Sequence, residues 1–430
     1  MSAYNIPGFR VRDHLVTVPL DWAAPNGETI QVFAREVSAP DQKSENLPVL
    51  VFLQGGPGGK APRPNAGPAW LGVATKRFRV LLLDQRGTGR SAPVQGRRMQ
   101  EFATPAEGAR YLAHFRADSI VKDCEHIRKT LFDGAKWHTL GQSYGGFLTL
   151  TYLSFAPEAL AGCYVTGGMA GIFASASEIY AHTYPRVAAK NALYFHRYPQ
   201  DRPLLDRLAD HLAANDVRLP DGDRLTVRRL QYLGMDLGME GGFESIHWLL
   251  DEAFCADGQL SDSLLGAIRD LTSFDHNPLF AAIHEPIYGQ HGAPTRWAAE
   301  RGLADHPQFS AEARPLLFTG EMIYPWMFDD IRALRPFAAA SHALADMGLE
   351  ALLYDPARLA ANEVPVWAAL YTDDMYVDAG LSQKTARAVG NVRLWMTNEF
   401  EHNGLRHSTR VLERLFSMEA DLAGFNHFAL

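Results

Sequence analysis

Short continuous runs of apolar residues recur along this chain, and each one ends in glycines or polar residues. They include PVLVFLQGG, RFRVLLLDQRG, GCYVTGG and VPVWAALYTDD. Strands of this kind are buried on both faces, as in a parallel sheet covered by helices. Two earlier runs, LVTVPLDW and TIQVFAREV, alternate between apolar and polar residues instead. The sequence therefore predicts an α/β fold with a mostly parallel sheet.

The strand pattern stops near residue 170 and returns near residue 346. Between these points, leucines and aromatic residues recur at helical spacing, as in LDRLADHLAAN and FESIHWLLDEAF. A sheet that is interrupted by helices and then resumes is typical of a core domain that carries an inserted cap. We expect a core formed by residues 1–170 and 346–430, with a helical cap at 171–345.

Charge and cysteine content narrow the class of protein. The 430 residues carry a formal net charge of −8, which argues against a general nucleic-acid surface. No apolar run is as long as a membrane span, and the first residues do not resemble a secretory signal. Cys124, Cys163 and Cys255 are isolated from one another, as expected in a reducing compartment. We expect a cytoplasmic protein without nucleic-acid or membrane partners.

The segment QGGPGGK, which follows the apolar run Val49–Leu53, has two possible functions. A phosphate-binding loop requires glycine where Gln54 stands, and a hydroxyl residue where Ala61 follows Lys60. Phosphate binding is therefore disfavoured. A turn that exposes backbone N–H groups after a buried strand remains.

The segment GQSYG contains a candidate nucleophile, Ser143. A strand, a sharp turn and a helix expose a serine hydroxyl at the turn, and small neighbours prevent clashes. The strand-like residues before Gly141, and Gly146 with an apolar helix behind it, fit this arrangement. The sequence thus predicts a serine hydrolase.

A serine nucleophile requires a base, and the base requires an acid to orient it. In doubly wound hydrolases the acid and then the histidine follow the serine, on loops after later strands. Asp373 and Asp374 follow one buried run, and His402 follows the next. Spacing favours Asp374 over Asp373, although a shift of one residue would reverse that choice. His407 competes with His402 but lies closer to the final helix.

The oxyanion of an acyl-transfer reaction requires two backbone N–H donors. One comes from the residue after the nucleophile, here Tyr144, and the other from a glycine-rich loop after an earlier strand. Gly55 or Gly56 is expected to supply the second donor. The segment QGGPGG is then part of the oxyanion hole.

These motifs together resemble a known family. GGPGG, LLDQRGTGRS and GQSYGGF are similar to motifs of the prolyl aminopeptidases, or proline iminopeptidases, which have the α/β-hydrolase fold. HEPIYGQ, TGEMIYPWMF, YTDDMYVD and NEFEHNGLR resemble the larger bacterial subgroup. The similarity runs from Val49 to Arg406. Many members have histidine where this chain has Gln54, but that side chain is not a backbone donor.

The resemblance implies release of an N-terminal proline from peptide substrates, through a prolyl-enzyme intermediate. Such an enzyme requires a carboxylate that pairs with the substrate amine. Glu285 resembles the amine-binding glutamate of the family, with Tyr288 one helical turn away, and Glu321 is a second candidate. Alternatively, these glutamates form structural ion pairs with arginines such as Arg296.

Other functions fit parts of the pattern. A carboxylesterase or amidase would use the same triad without acids in the cap, and a catalytically silent relative would act as a binding protein. Epoxide hydrolases and dehalogenases usually have aspartate where Ser143 stands. No HExxH or Cys/His cluster indicates a metal, and the mechanism requires no cofactor.

Overall fold

One sheet contains all nine strands found in residues 3–41, 46–65, 69–290 and 292–426, which are the residues that the computed structural model describes. The spatial order is β1-β2-β3-β5-β4-β6-β7-β8-β9. The strands are β1 (Ala3–Ile6), β2 (Phe9–Pro19), β3 (Thr29–Ser38), β4 (Val49–Leu53), β5 (Arg79–Leu83), β6 (Trp137–Gln142), β7 (Leu160–Thr166), β8 (Val366–Tyr371) and β9 (Val392–Thr397).

The sheet has an antiparallel edge and a parallel body. Strands β1, β2, β3 and β5 pair antiparallel in that order. All pairs from β5 through β4, β6, β7 and β8 to β9 are parallel. The alternating runs form the edge and the continuous runs form the body, which confirms the predicted mostly parallel α/β fold.

Helices cover both faces of the parallel body. Because successive side chains of a strand point to opposite faces, Val51 and Leu53 pack with one group of helices, and Leu50 and Phe52 with another. The helices outside the interruption of the sheet are α1 (Ala69–Ala74), α2 (Gly96–Met99), α3 (Pro105–Ala113), α4 (Ala117–Leu131), α5 (Tyr144–Phe155), α15 (Pro356–Ala360), α16 (Ala379–Ala388), α17 (Gly404–His407) and α18 (Thr409–Asn426).

The remaining helices all lie between β7 and β8, in what we call the helical segment (residues 171–345). They are α6 (Ala176–Arg197), α7 (Asp201–Ala214), α8 (Val227–Gln231), α9 (Gly242–Asp251), α10 (Asp262–Thr272), α11 (Pro278–Ile283), α12 (Ala298–Leu303), α13 (Met327–Asp330) and α14 (Ala338–Asp346). The described part of this segment contributes no strand to the sheet. The expected domain limits remain predictions, and the limits at residues 1 and 430 lie outside the described residues.

Helix α6 is the longest element of the helical segment, with 22 residues. It begins with a reciprocal cap, because the Ser175 hydroxyl accepts from the Glu178 N–H while the Glu178 carboxylate accepts from the Ser175 N–H. Its buried face includes Tyr184, Val187 and Lys190. A lysine on a buried helix face requires a specific partner, and that partner lies beside the candidate site.

The parallel body determines where the chemistry is gathered. The loops that follow the carboxyl ends of β4, β6, β8 and β9 meet at one edge of the sheet, and the helical segment packs over the same edge. Met375 and Tyr376, in the loop after β8, belong to the apolar cluster of the helical segment. No helix in the described ranges is long and apolar enough to span a membrane.

Candidate active site

Ser143 lies in the single-residue turn between β6 and α5. Its φ of 55° and ψ of −123° place a non-glycine residue in a region that costs about 1–3 kcal/mol. The turn is held from both sides: the Ser143 N–H donates to the Thr166 carbonyl at 2.9 Å, and the Ser143 carbonyl accepts from the Gly146 N–H at 2.7 Å. The serine side chain is therefore fixed at the edge of the sheet.

The glycines around Ser143 are required by close packing. A Cβ on Gly141 would overlap the Gly145 carbonyl, and one on Gly145 would overlap the Leu53 carbonyl at the end of β4. A Cβ on Gly146 would overlap the carbonyl of Gly168. The first turn of α5 consequently lies directly against the neighbouring strand ends, and larger residues would move Ser143.

Ser143, His402 and Asp374 form one hydrogen-bonded line. His402 Nε2 lies 2.8 Å from Ser143 Oγ, and His402 Nδ1 lies 2.6 Å from Asp374 Oδ2. The other Asp374 oxygen accepts from the N–H groups of Tyr376 and Val377 at 2.7 and 3.0 Å. With its carboxylate fixed in this way, Asp374 orients the imidazole toward the serine hydroxyl.

The two competing residues are not part of this line. Asp373 is exposed, whereas Asp374 has only 2% of its surface accessible. His407 is exposed as well, and His402 is buried. Of the candidates, the structure brings only Asp374 and His402 together with Ser143.

Two opposing effects act on the pKa of His402. Burial of the ring lowers the pKa, while the charge of Asp374 and the hydrogen bond to it raise the pKa, and the net shift is upward. A more basic imidazole accepts the serine proton more readily. It also requires a higher pH before the ring is neutral in the resting site.

The glycine-rich loop after β4 lies against the serine turn. A Cβ on Gly55 would stand 2.8 Å from the Ser143 Cβ, so only glycine fits there. Gly56 has a φ of +75°, in the left-handed region that favours glycine. Gln54 closes the loop by donating from its side chain to the Gly55 carbonyl at 2.5 Å. Tyr144 is the first residue of α5, where the N–H has no acceptor within the helix.

A cavity of about 380 Å³ opens onto Ser143 and His402. The core side of its wall includes Gly55, Gly56, Gln142, Asn403 and Arg406. The side from the helical segment includes Tyr232, Met235, Met239, Phe274, Phe280 and Glu321. The cavity therefore lies between the two parts of the chain. Its wall from the helical segment is mixed, because polar residues also line it: Asp270, Ser273, Asp275, His276 and Asn277.

Of the two glutamates predicted to bind the substrate amine, Glu321 is the one that lines the catalytic cavity. It is half-buried in the cavity wall, and no lysine or arginine of the described ranges forms an ion pair with it. Burial and the negative charge of Asp374 raise the pKa of Glu321 to about 7, although His402 opposes this shift. A carboxylate without a cationic partner at this position is suited to a cationic ligand.

Glu285 and Tyr288 lie outside the wall of this cavity. Glu285 is buried, and one of its oxygens accepts from the Ala299 N–H at 3.1 Å at the start of α12. Burial raises the pKa of its carboxyl group. The Tyr288 ring contacts the Tyr180 ring with centroids 6.1 Å apart. The suggested ion pair between Glu285 and Arg296 is not found among the described residues.

Helix α6 binds both loops that carry the acid and the histidine. Arg186 donates to Asp378, in the loop after β8, at 3.0 Å. Lys190, one helical turn further on, donates to both carboxylate oxygens of Glu401 at 2.5 and 2.7 Å. Glu401 directly precedes His402. These residues could not be predicted from the sequence, because cations at i and i+4 give no indication of a distant partner.

Backbone contacts reinforce the same attachment. The His402 N–H donates to the Gly238 carbonyl at 3.1 Å, and the Glu401 N–H donates to the Glu240 side chain at 2.9 Å. The Glu240 N–H in turn donates to the Asn403 side chain at 2.8 Å. The histidine loop is therefore fixed by the helical segment as well as by the sheet.

Comparison with known proteins gives consistent similarities. The family model described as the α/β hydrolase fold matches residues 48–405. A proline iminopeptidase of Aeromonas sobria is 47% identical over 421 residues, covering 97% of this chain and 98% of that protein. A proline iminopeptidase of Aspergillus aculeatus is 33% identical, covering 94% of this chain and 92% of that protein.

Proposed function

The chain belongs to the proline iminopeptidases of the α/β-hydrolase fold, and on that basis we propose that it releases N-terminal proline from peptides by serine catalysis. One observation carries the proposal. The hydrogen-bonded Ser143 and His402 share a single cavity with Glu321, a carboxylate that has no cationic partner within the described residues. This combination supports both acyl transfer and recognition of a free amine.

We assign the catalytic steps to three side chains. Ser143 Oγ attacks the carbonyl carbon of the N-terminal prolyl residue while His402 Nε2 takes its proton. Asp374 holds the other ring nitrogen and stabilises the imidazolium. His402 then protonates the leaving amine, and the C–N bond breaks to give a prolyl ester of Ser143. Water, activated by His402, hydrolyses this ester and restores the serine.

The oxyanion is assigned to backbone donors on both sides of Ser143. The Tyr144 N–H at the start of α5 supplies one hydrogen bond, and the loop at Gly55 and Gly56 supplies the other. Loss of one such donor typically costs about 3–4 kcal/mol of transition-state stabilisation. The exclusion of side chains at Gly55 keeps this loop close to the nucleophile.

Glu321 is assigned to the substrate amine. Glu321 lines the catalytic cavity, whereas Glu285 does not line it and instead accepts from the Ala299 N–H at the start of α12. Glu285 and Tyr288 then form a second layer behind the amine site. Residues 171–345 act as a cap that limits substrates to those with a free N-terminus.

The three free cysteines fit a cytoplasmic location.

The proposal is tested with two anilides, one of free proline and one of N-blocked proline, and with Ser143→Ala as control. We expect turnover of the free-amine substrate alone, and loss of that turnover in the variant. Equal turnover of both substrates would instead indicate a general amidase or esterase. Turnover of neither substrate, nor of simple esters, would indicate a catalytically silent binding protein.

A further inference from the structure

Arg406 lies in the wall of the catalytic cavity, and no carboxylate of the described part of the chain pairs with it. It is the only lysine or arginine among the described residues that line the cavity. Its guanidinium donates to the Gln142 side-chain oxygen at 3.2 Å, and no carboxylate in the described ranges lies within ion-pair distance. Arg410, one turn further along the chain, is by contrast paired with Glu399 at 2.5 Å.

Arg406 is separated from the nucleophile by a single side chain. The Gln142 side-chain oxygen that accepts from Arg406 would lie 2.6 Å from a Cβ on Gly55, and the same Cβ would lie 2.8 Å from the Ser143 Cβ. One continuous stretch of the cavity wall therefore runs from the Arg406 guanidinium through the Gln142 amide and the oxyanion loop to Ser143. Arg406 thus lies beside the loop that is assigned to the oxyanion of the scissile carbonyl.

The charges of the cavity match the two ends of a short peptide. If Glu321 binds the amine, as proposed above, the remaining fixed charge of the substrate is its C-terminal carboxylate. In a dipeptide the carboxyl carbon lies one residue beyond the scissile carbonyl, a distance of roughly 3.5 Å. Asp270 and Asp275 also line this cavity and would repel a carboxylate, so among the described lining residues Arg406 is the fixed cation suited to bind it.

We propose that Arg406 binds the C-terminal carboxylate of prolyl dipeptides, and that Gln142 orients its guanidinium for this contact. An arginine fork matches the two oxygens of a carboxylate better than a lysine does. The cavity then favours dipeptides over longer or C-terminally amidated peptides. This inference rests on the proposed function, because it requires the prolyl residue to occupy the site next to Ser143.

The test compares prolyl-alanine with prolyl-alanine amide, which differ only in the terminal charge. A hydrogen bond to a charged group contributes about 1.5–3 kcal/mol. Because Arg406 is exposed and partly screened by solvent, we expect the lower end of this range, or a preference of the wild-type protein for the acid by about tenfold in kcat/KM. In Arg406→Gln the acid-to-amide ratio should fall close to one, and Arg406→Lys should give an intermediate ratio.

Arg410→Gln is the matched control, because it removes an arginine of the same region that does not line the cavity. This variant should keep the wild-type ratio. A wild-type ratio near one, or an unchanged ratio in Arg406→Gln, would overturn the inference. If Arg406→Gln fails to fold, the ratio in Arg406→Lys makes the same decision, and an unchanged ratio there would overturn the inference. Prolyl anilide has no carboxylate, so its turnover tests the proposed function separately from the role of Arg406.

Discussion

The sheet and the helical segment position their functional side chains in different ways. In the sheet, Ser143 is held by backbone packing so close that Gly141 and Gly145 admit no side chain. In the helical segment, Glu321 has no ionic partner among the residues that the structure describes, and its carboxyl pKa is raised to about 7. A reactive group requires fixed geometry, whereas a group that receives a charged ligand must leave its charge unpaired. We infer from this comparison that, under the proposed function, the sheet supplies the chemistry and the helical segment supplies the selectivity.

The largest loss of activity is expected when the acid that follows strand β8 is changed. Asp374→Asn should lower kcat by about 10⁴, because the amide favours the wrong tautomer of His402 and cannot stabilise the imidazolium. Asp373→Asn is the matched control, since Asp373 is exposed and adjacent in sequence. Steady-state kinetics on prolyl anilide measures both variants. A larger loss in Asp373→Asn would reverse the assignment of the acid.

The second largest loss of activity is expected when the glutamate of the helical segment that lines the cavity is changed. Glu321→Gln should lower kcat/KM for free-amine substrates by about 30- to 1000-fold, since loss of one partner of a desolvated charge pair costs about 2–4 kcal/mol. Glu285→Gln should cost less than about tenfold, because the amide oxygen still accepts from Ala299. The same anilide assay measures both variants. A stronger effect in Glu285→Gln would move the amine site to that residue.

Glu321 also links function to stability. The folded protein binds the Glu321 proton more tightly than the unfolded chain does, because burial raises the pKa from 4.5 to about 7. This carboxyl group therefore lowers stability progressively as the pH rises above 4.5, and the cost is complete above about pH 7. Glu321→Gln should raise the free energy of unfolding by roughly 1–3 kcal/mol at about pH 8, and by little near pH 4.

Urea denaturation at the two pH values measures this difference. Glu363→Gln, at an exposed glutamate, should change stability little at either pH. If Glu321→Gln left stability unchanged at the higher pH, its carboxylate would not be the unpaired, desolvated group described above.

The smallest loss of activity is expected at the contact between the helical segment and the loop that carries His402. Lys190→Met should lower kcat a few-fold and leave KM nearly unchanged, because the loop that carries His402 would lose one of the contacts that fix it. A double-mutant cycle with Glu401→Gln measures the coupling, for which contacting residues typically give about 0.5–3 kcal/mol. Arg197 and Glu244 form a comparison pair that also starts from α6 and lies outside the cavity. If disruption of the Arg197–Glu244 pair lowered kcat as much as disruption of the Lys190–Glu401 pair, Lys190 would have no specific role in positioning His402.

The sequence predicted the sheet better than it predicted the helical segment. Runs such as VLVFL indicate buried strands by local composition, and the strand order then brings the ends of β4, β6, β8 and β9 together. Ser143, Asp374 and His402 could be selected because each lies in the turn or loop that follows such a run. The arrangement of the helices depends on contacts between distant residues, for which local periodicity carries no information.

Two contacts illustrate what the sequence could not provide. Lys190 meets Glu401 across 211 positions, and Gln142 meets Arg406 across 264. The residues of neither pair have a local sequence pattern that distinguishes them from ordinary polar surface residues. The choice between Glu285 and Glu321 likewise depends on which carboxylate faces the cavity, a property of packing rather than of motif.

The most direct test of the division between chemistry and selectivity uses two substrates of equal shape. One is prolyl anilide, and the other has a tetrahydrofuran ring, with oxygen in place of the charged ring nitrogen. Their ratio of kcat/KM is measured in the wild-type protein, Asp374→Asn and Glu321→Gln. We predict that Asp374→Asn lowers both rates and preserves the ratio, while Glu321→Gln brings the ratio close to one. A ratio that survives in Glu321→Gln, or collapses in Asp374→Asn, would contradict the account.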